Sequence, residues 1–288
     1  MRGWWQDLTD LVLPAECGGC GRPRAVLCPE CRAALTGAAP CRVRPVPEPS
    51  GLPVVHAAAP YEDAVRAALL AHKERGALAL AGPLGTALAG AVRAGGGEGP
   101  VLLVPVPSAR RAVRARGHDP ARRIALAAAG RLRSTGTPAR VAQVLRQRRA
   151  VADQSGLDSR QRSANLAGAL EVVAGGARLL GGGPVVLVDD LMTTGASLAE
   201  AARAVRVARA RWVAESTVFD AQRRTDRTTE WIGEWTTDRT TELMGEWMAK
   251  DVMRTRAVTG MESSGGVVDG VRAAVVAAPP DSFPINRN

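Results

Sequence analysis

Aromatic side chains are scarce in this 288-residue chain: six Trp, two Phe and one Tyr make up 3% of it. Few of them fall within residues 1–211, which argues against a platform that stacks single-stranded bases. Lysine is scarcer still. Only Lys73 and Lys250 occur among the 38 basic residues; the rest are arginine. No hydrophobic run reaches the ~18 residues that cross a bilayer, so no transmembrane helix is expected. Asp7 and Asp10 interrupt the N-terminal stretch where a signal peptide needs an unbroken apolar core, and a cytoplasmic location is the expectation. With 46% hydrophobic and 23% charged residues, a disordered or collagen-like chain is excluded. The length allows one or two domains with an ample core.

Positive charge is abundant. The net charge is +10 and the pI about 10.7, which suits a polyanionic partner such as nucleic acid or a phosphorylated metabolite. An equally simple source of the basicity is codon usage in a GC-rich genome, since arginine, alanine and glycine all abound.

Four stretches separate by composition. Residues 1–45 hold all five cysteines, and 46–53 (VPEPSGLP) is a Pro-rich connector. Residues 54–211 alternate short aliphatic runs with Ala/Arg/Leu helical patterns, the signature of βα units and a parallel sheet. The spacing predicts strands over 101–107, 140–145 and 184–190, and helices over 61–73, 78–93, 120–133 and 197–210. Between them, 146–168 reads as a long loop. Residues 212–266 differ: they carry four of the six Trp and a 12-residue repeat, TDRTTEWIGEWT (225–236) and then TDRTTELMGEWM (237–248). Two copies are too few for a solenoid, so this stretch reads as a repeat-containing insertion. After it, VRAAVVAAPPDSF (271–283) reads as a final buried strand that rejoins the main domain, 54–211 plus 267–286.

Cys17 and Cys20, then Cys28 and Cys31, form two CxxC pairs. Two such knuckles can point four thiolates at one centre and complete a closed, structural zinc site; Gly18, Gly19 and Gly21 allow the tight turns. The alternatives are paired disulfides or a redox CxxC, which a reducing compartment and the lack of a thioredoxin-like context disfavour. Cys41 is left over and reads as a free thiol.

The strongest signal runs from 185 to 197, VVLVDDLMTTGAS. An aliphatic strand ends in Asp189 and Asp190. A turn through Met192, Thr193, Thr194, Gly195, Ala196 and Ser197 then opens a helix. Phosphate needs unpaired N–H groups converging on one point, and a helix N-terminus after a Gly turn supplies them. The three hydroxyls add donors. Asp189 and Asp190 can accept bonds from vicinal sugar hydroxyls and help to hold Mg2+. The bland alternative is an ordinary βα turn with an acidic cap.

On these residues the chain resembles the type I phosphoribosyltransferases, and the upstream four-Cys knuckle makes it similar to the competence protein F (ComF) family. Further matches are Lys73 in AHKERG, Val104-Pro105-Val106-Pro107 with Ser108 after it, Arg116-Gly117-His118-Asp119, and Gln154-Ser155-Gly156-Leu157 with Arg160, Arg162 and Asn165. His118-Asp119 stands where an aromatic–Asn pair is more usual, and 212–266 is foreign to the pattern. The resemblance implies an α/β phosphoribosyltransferase-type fold, mainly parallel and flanked by helices, with a small N-terminal zinc knuckle. It implies binding of phosphoribosyl pyrophosphate (PRPP) or a related ligand with Mg2+, through Asp189, Asp190 and 192–197. A role in DNA uptake or nucleotide metabolism follows, with single-stranded DNA or a helicase-like protein as partner. Catalysis, where present, would be pentosyl transfer aided by the two acids.

By the same resemblance Ser108, Ala109, Arg110 and Arg111 form a pyrophosphate loop, where guanidinium forks suit a diphosphate; otherwise these arginines are a solvated charge run. Gln154, Ser155, Arg160, Arg162 and Asn165 belong to a flexible loop that closes over the site, or else to a polar connector. His118 reads as structural rather than catalytic, with Asp119 capping the next helix. Lys73 either reaches an anion or complements a helix dipole.

Overall fold

The computed structural model describes residues 16–96, 99–149, 158–181, 183–234 and 270–284, with backbone only at 159 and 216–234. Within them the chain forms α1 (Pro29–Thr36), β1 (Cys41–Val43), β2 (Val55–Pro60), α2 (Asp63–Glu74) and α3 (Ala81–Ala94). β3 (Val101–Pro105), α4 (Arg110–Arg116), α5 (Pro120–Ser134), β4 (Ala139–Val141) and β5 (Leu145–Gln147) come next. α6 (Ser159–Leu166), β6 (Leu170–Val172), α7 (Gly176–Leu180), β7 (Val185–Leu191), α8 (Ala196–Glu234) and β8 (Val271–Ala278) complete the order. Residues 1–212 with 270–288 form one compact unit and 213–269 a second. Among the described residues no helix is long and apolar enough to cross a membrane.

The main sheet has six strands in the order β1-β2-β8-β7-β3-β4, all parallel except β1, which runs antiparallel to β2 at the edge. β5 and β6 form a separate antiparallel pair. The fold is thus α/β, a mostly parallel sheet flanked by helices, preceded by the cysteine segment. Parallel strands are covered on both faces and so read as continuous apolar runs. On one face Leu103, Val186, Val188 and Val276 pack against α2, α3 and α5 through residues such as Leu69, Leu88 and Ile124. On the other, Val185, Leu187 and Val275 meet Leu198, Ala201 and Val205 of α8. The cysteine segment joins the first face, with Leu27 and Leu35 in the same core cluster as Leu80 and Leu84.

Several elements differ from the sequence expectation. The run 140–145 is split between β4 and β5, which lie in different sheets. β2, written VHAAAP, was not expected, because it has few of the β-branched residues that mark strands. The stretch expected as a long loop contains α6, started by a capping box in which Asp158 accepts from the Gln161 amide and Gln161 answers onto the Asp158 amide. The last helix was expected to end at 210 and continues to Glu234, since no Gly or Pro interrupts 197–232. The rest of the repeat insertion, 235–266, lies outside the described residues.

A core so rich in alanine demands close approach of its elements. α3 and α5 meet at Gly85, where a Cβ would lie 2.5 Å from Ala127 Cβ and 2.8 Å from the Ala128 amide nitrogen. Gly85→Ala is therefore expected to lower unfolding stability by about 1–3 kcal/mol, although alanine gains up to ~1 kcal/mol in helix propensity. Urea denaturation checks this, and an unchanged or raised midpoint contradicts the tight contact.

Candidate functional site

Direction of the chain decides where a ligand can enter. After β3 it passes through α4 and α5 to β4 on one side, whereas after β7 it passes through α8 to β8 on the other. β3 and β7 are neighbours, so their carboxyl ends flank a topological switch point, where open α/β sheets form a crevice. A cleft of about 470 Å3 lies there, lined by Ser108, Ala109 and Arg111 after β3, by Asp189, Asp190, Thr193 and Ser197 after β7, and by Lys73 of α2.

Strand alternation sets the two acids apart. Asp190 continues the row of Val186 and Val188, on the face covered by α2, and its Oδ2 meets Lys73 Nζ at 2.8 Å. Its amide donates to Asp189 Oδ1, also at 2.8 Å. Asp190 is only 5% exposed. Burial pushes its carboxyl up, but the charge and hydrogen bond of Lys73 outweigh burial and leave it below its ordinary value. Asp189 has no such partner. Burial, then repulsion from Asp190, raises it well above the ordinary carboxylate range. Burial likewise opposes the Lys73 charge, and Asp190 with Asp189 more than restores it. Lys73 thus favours the charged form of Asp190, while Asp189 is pushed towards its protonated form.

The turn after β7 leaves donors available. The Met192 amide donates to the Ala277 carbonyl at 3.0 Å and the Ala199 amide to the Gly195 carbonyl at 2.9 Å. Among the described residues the amides of Thr194, Gly195, Ala196 and Ser197 make no backbone hydrogen bond, as befits a first helical turn. Gly195 sits at φ +75°, and a Cβ there would come 3.1 Å from Leu52 and 3.3 Å from Pro49. The Pro-rich connector therefore presses on the turn and leaves room only for glycine.

The residues expected at the site are placed unequally. Asp189, Asp190, Thr193, Ser197, Ser108, Ala109 and Arg111 line the cleft. Met192 and Ala196 are buried in the core and can offer only backbone. Arg110 is exposed and is not part of the cleft wall. Arg160, Arg162 and Asn165 lie on α6 rather than on an extended loop, and Gln154 and Ser155 fall outside the described residues. Leu166 of α6 lines the cleft, packed against Ala196 at the start of α8; Gln147 and Leu170, from β5 and β6, close the same side. The sequence reading missed these three and left Lys73 undecided, because their partners are distant in the chain. His118 contacts the His72 and Arg116 carbonyls, and Asp119 caps α5 by accepting from the Arg122 amide at 3.2 Å.

A second constellation lies in the cysteine segment. The sulfurs of Cys17, Cys20, Cys28 and Cys31 lie within 4.8 Å of one another and could hold a metal ion. All four are free thiols. The Cys28 amide donates to Cys17 Sγ at 3.3 Å. Burial pushes the Cys17 thiol up, but amides of Cys28, Cys20 and Gly19 overcome it and bring it down to about 6. Cys31 goes far the other way, raised by burial and by the neighbouring sulfurs. Were all four sulfurs ionised at this distance, a cation between them would offset their repulsion. Gly19 is required because a Cβ would lie 2.7 Å from Cys31 Sγ.

No family model matches this chain, and no curated protein sequence matches it significantly.

The cysteine geometry makes one outcome measurable. The purified chain is expected to carry one equivalent of metal, released on acidification as the thiolates protonate. Cys17→Ser and Cys31→Ser should each lose it and unfold at lower temperature. Elemental analysis beside a thermal melt tests this; variants that keep full metal content contradict a four-sulfur site.

Proposed function

We propose that the cleft binds a phosphoribosyl ligand, PRPP with Mg2+ or a close relative, and that the cysteine cluster holds a structural zinc ion. The carrying observation is the meeting, at the switch point, of two adjacent acids with the unpaired amides of a helix start. A sugar phosphate presents a phosphate to the amides and vicinal hydroxyls to the acids. The resemblance of the short motifs 185–197 and 17–31 to those of the ComF family points the same way.

The roles of the residues follow from their positions. The amides of 194–197, with Thr193 and Ser197 hydroxyls, grip the 5-phosphate. Asp190, kept anionic by Lys73, accepts from a ribose hydroxyl. Asp189, whose carboxyl is raised by burial and by Asp190, stands at the neighbouring hydroxyl, donating when protonated and accepting when ionised. Arg111 faces the diphosphate from the opposite wall. Lys73 already pairs with Asp190, so Mg2+ fits as the partner of the diphosphate. When bound it supplies charge neutralisation on the leaving oxygens. In a transfer reaction the acceptor forms a bond to the anomeric carbon while the carbon–oxygen bond to diphosphate breaks. The diphosphate departs with the electron pair, and the acceptor loses its proton. The carboxylate of Asp190 stabilises the positive charge that develops on the sugar ring. The zinc assignment rests on the donor set: four sulfurs leave no open position, which suits a structural ion.

A non-catalytic reading draws on a different observation. Among the described residues no aromatic side chain lines the cleft, so no aromatic platform for a nucleobase is present there. In that reading the site senses the phosphoribosyl ligand and the protein serves DNA uptake, with single-stranded DNA or a helicase-like protein as partner. Release of pyrophosphate from PRPP over a panel of nucleobases separates the two.

Calorimetric titration with PRPP and Mg2+ tests the site itself. Saturable binding is expected, weakened at least roughly tenfold by Asp190→Asn, as for a lost hydrogen bond to a charged group. Absence of binding by the wild-type chain, or unchanged affinity in the variant, contradicts the proposal.

A further inference from the structure

We propose that His118 is a positioning residue that fixes Lys73 on Asp190 by bolting the two walls of the cleft together. Its Nε2 lies 3.1 Å from the His72 carbonyl, in the last turn of α2 beside Lys73, and its Nδ1 lies 3.2 Å from the Arg116 carbonyl, at the end of α4. Whichever nitrogen carries the proton donates, and the imidazolium donates to both. The ring also stacks edge-on against His72, with centroids 5.6 Å apart. His72 is fully buried, so this contact leaves the α2 terminus little room to shift. One residue away, Arg116 Nη1 reaches Glu74 Oε1 at 2.9 Å. Two polar links and a ring contact therefore join the same two segments, one on each side of Lys73.

The geometry matters because Lys73 needs external support. Its side chain is flexible and about a third exposed, whereas Asp190 is almost fully buried. A four-carbon stem holds a 2.8 Å contact only if its backbone is immobile. α2 ends immediately after Lys73, at Glu74, with Arg75 as its cap, where helices fray. A phenylalanine at 118 keeps the ring contact and loses the contacts of both ring nitrogens, leaving the Arg116–Glu74 pair in place; a glutamine keeps one donor and loses the ring. The two variants thus separate packing from hydrogen bonding.

The inference deepens the phosphoribosyl reading of the cleft, and its first test needs no ligand. The chain has two lysines, Lys73 and Lys250, so acylation of each amine can be followed by peptide mass spectrometry on the intact, folded, full-length protein. Modification of Lys73 is expected to speed up about fivefold in His118→Phe, the freedom gained when one ordinary hydrogen bond is lost. His118→Gln should recover part of the slow rate, and Lys250 should react alike in all three proteins. Circular dichroism melts confirm that the variants remain folded, with Glu74→Gln as a milder break of the companion link should His118→Phe unfold. An unchanged Lys73 rate in folded variants overturns the positioning role, whatever PRPP does. The second test is titration with PRPP and Mg2+, where a severalfold loss of affinity in His118→Phe is expected. Altered labelling in a protein that binds no PRPP leaves the positioning role standing and refutes the ligand instead.

Discussion

Two carboxyl groups side by side at the end of a buried strand cannot both ionise without a cation, and here the cation is Lys73. Burial alone would protonate both acids. The contact at 2.8 Å favours the charged form of Asp190, while burial and the neighbouring charge raise Asp189. An ion pair of this kind contributes little net stability once its desolvation is counted. Its consequence is chemical: two acids whose proton affinities are pushed in opposite directions stand together at the mouth of the cleft, beside amides with no backbone partner.

The surrounding structure can be understood as support for that arrangement. Lys73 stands on the last turn of α2, and α2 is packed by α1 of the cysteine segment. The cysteine segment also presses on the short turn before α3, where a Cβ on Gly18 would lie 2.5 Å from Leu80. The four-cysteine knuckle is therefore connected, through buried side chains, to the helix that carries Lys73. On the other side, the Pro-rich connector lies against Gly195 and limits the turn that presents the amides. The cleft depends on segments spread over most of the first compact unit, which a short local motif does not reveal.

What was legible in the sequence follows physical rules. The strand ending in Asp189 and Asp190 and the two CxxC pairs could be read because their chemistry is local: an apolar run, a glycine turn, a fixed spacing. The helices on the sheet showed their periodicity, and β8 was readable as a valine-rich run after the repeat segment. β2 was hidden because alanine carries little strand signal, and α6 because its polar sequence masks a capping box at Asp158 and Gln161. The partner of Lys73 was beyond reach for a different reason: sequence patterns say which face of an element is apolar, and they do not say which distant element will lie across from it. Gln147, Leu166 and Leu170 were missed on the same ground.

The charge state of the acid pair is the most direct point of test. Carboxyl carbon-13 NMR of the ligand-free protein, titrated with acid and base and assigned with Asp189→Asn and Asp190→Asn, reads both groups individually. One aspartate, Asp189, should titrate well above the ordinary range, while Asp190 stays ionised below it and loses that depression in Lys73→Ala. Two aspartates that titrate together near pH ~4, the value of a free side chain, would contradict the account.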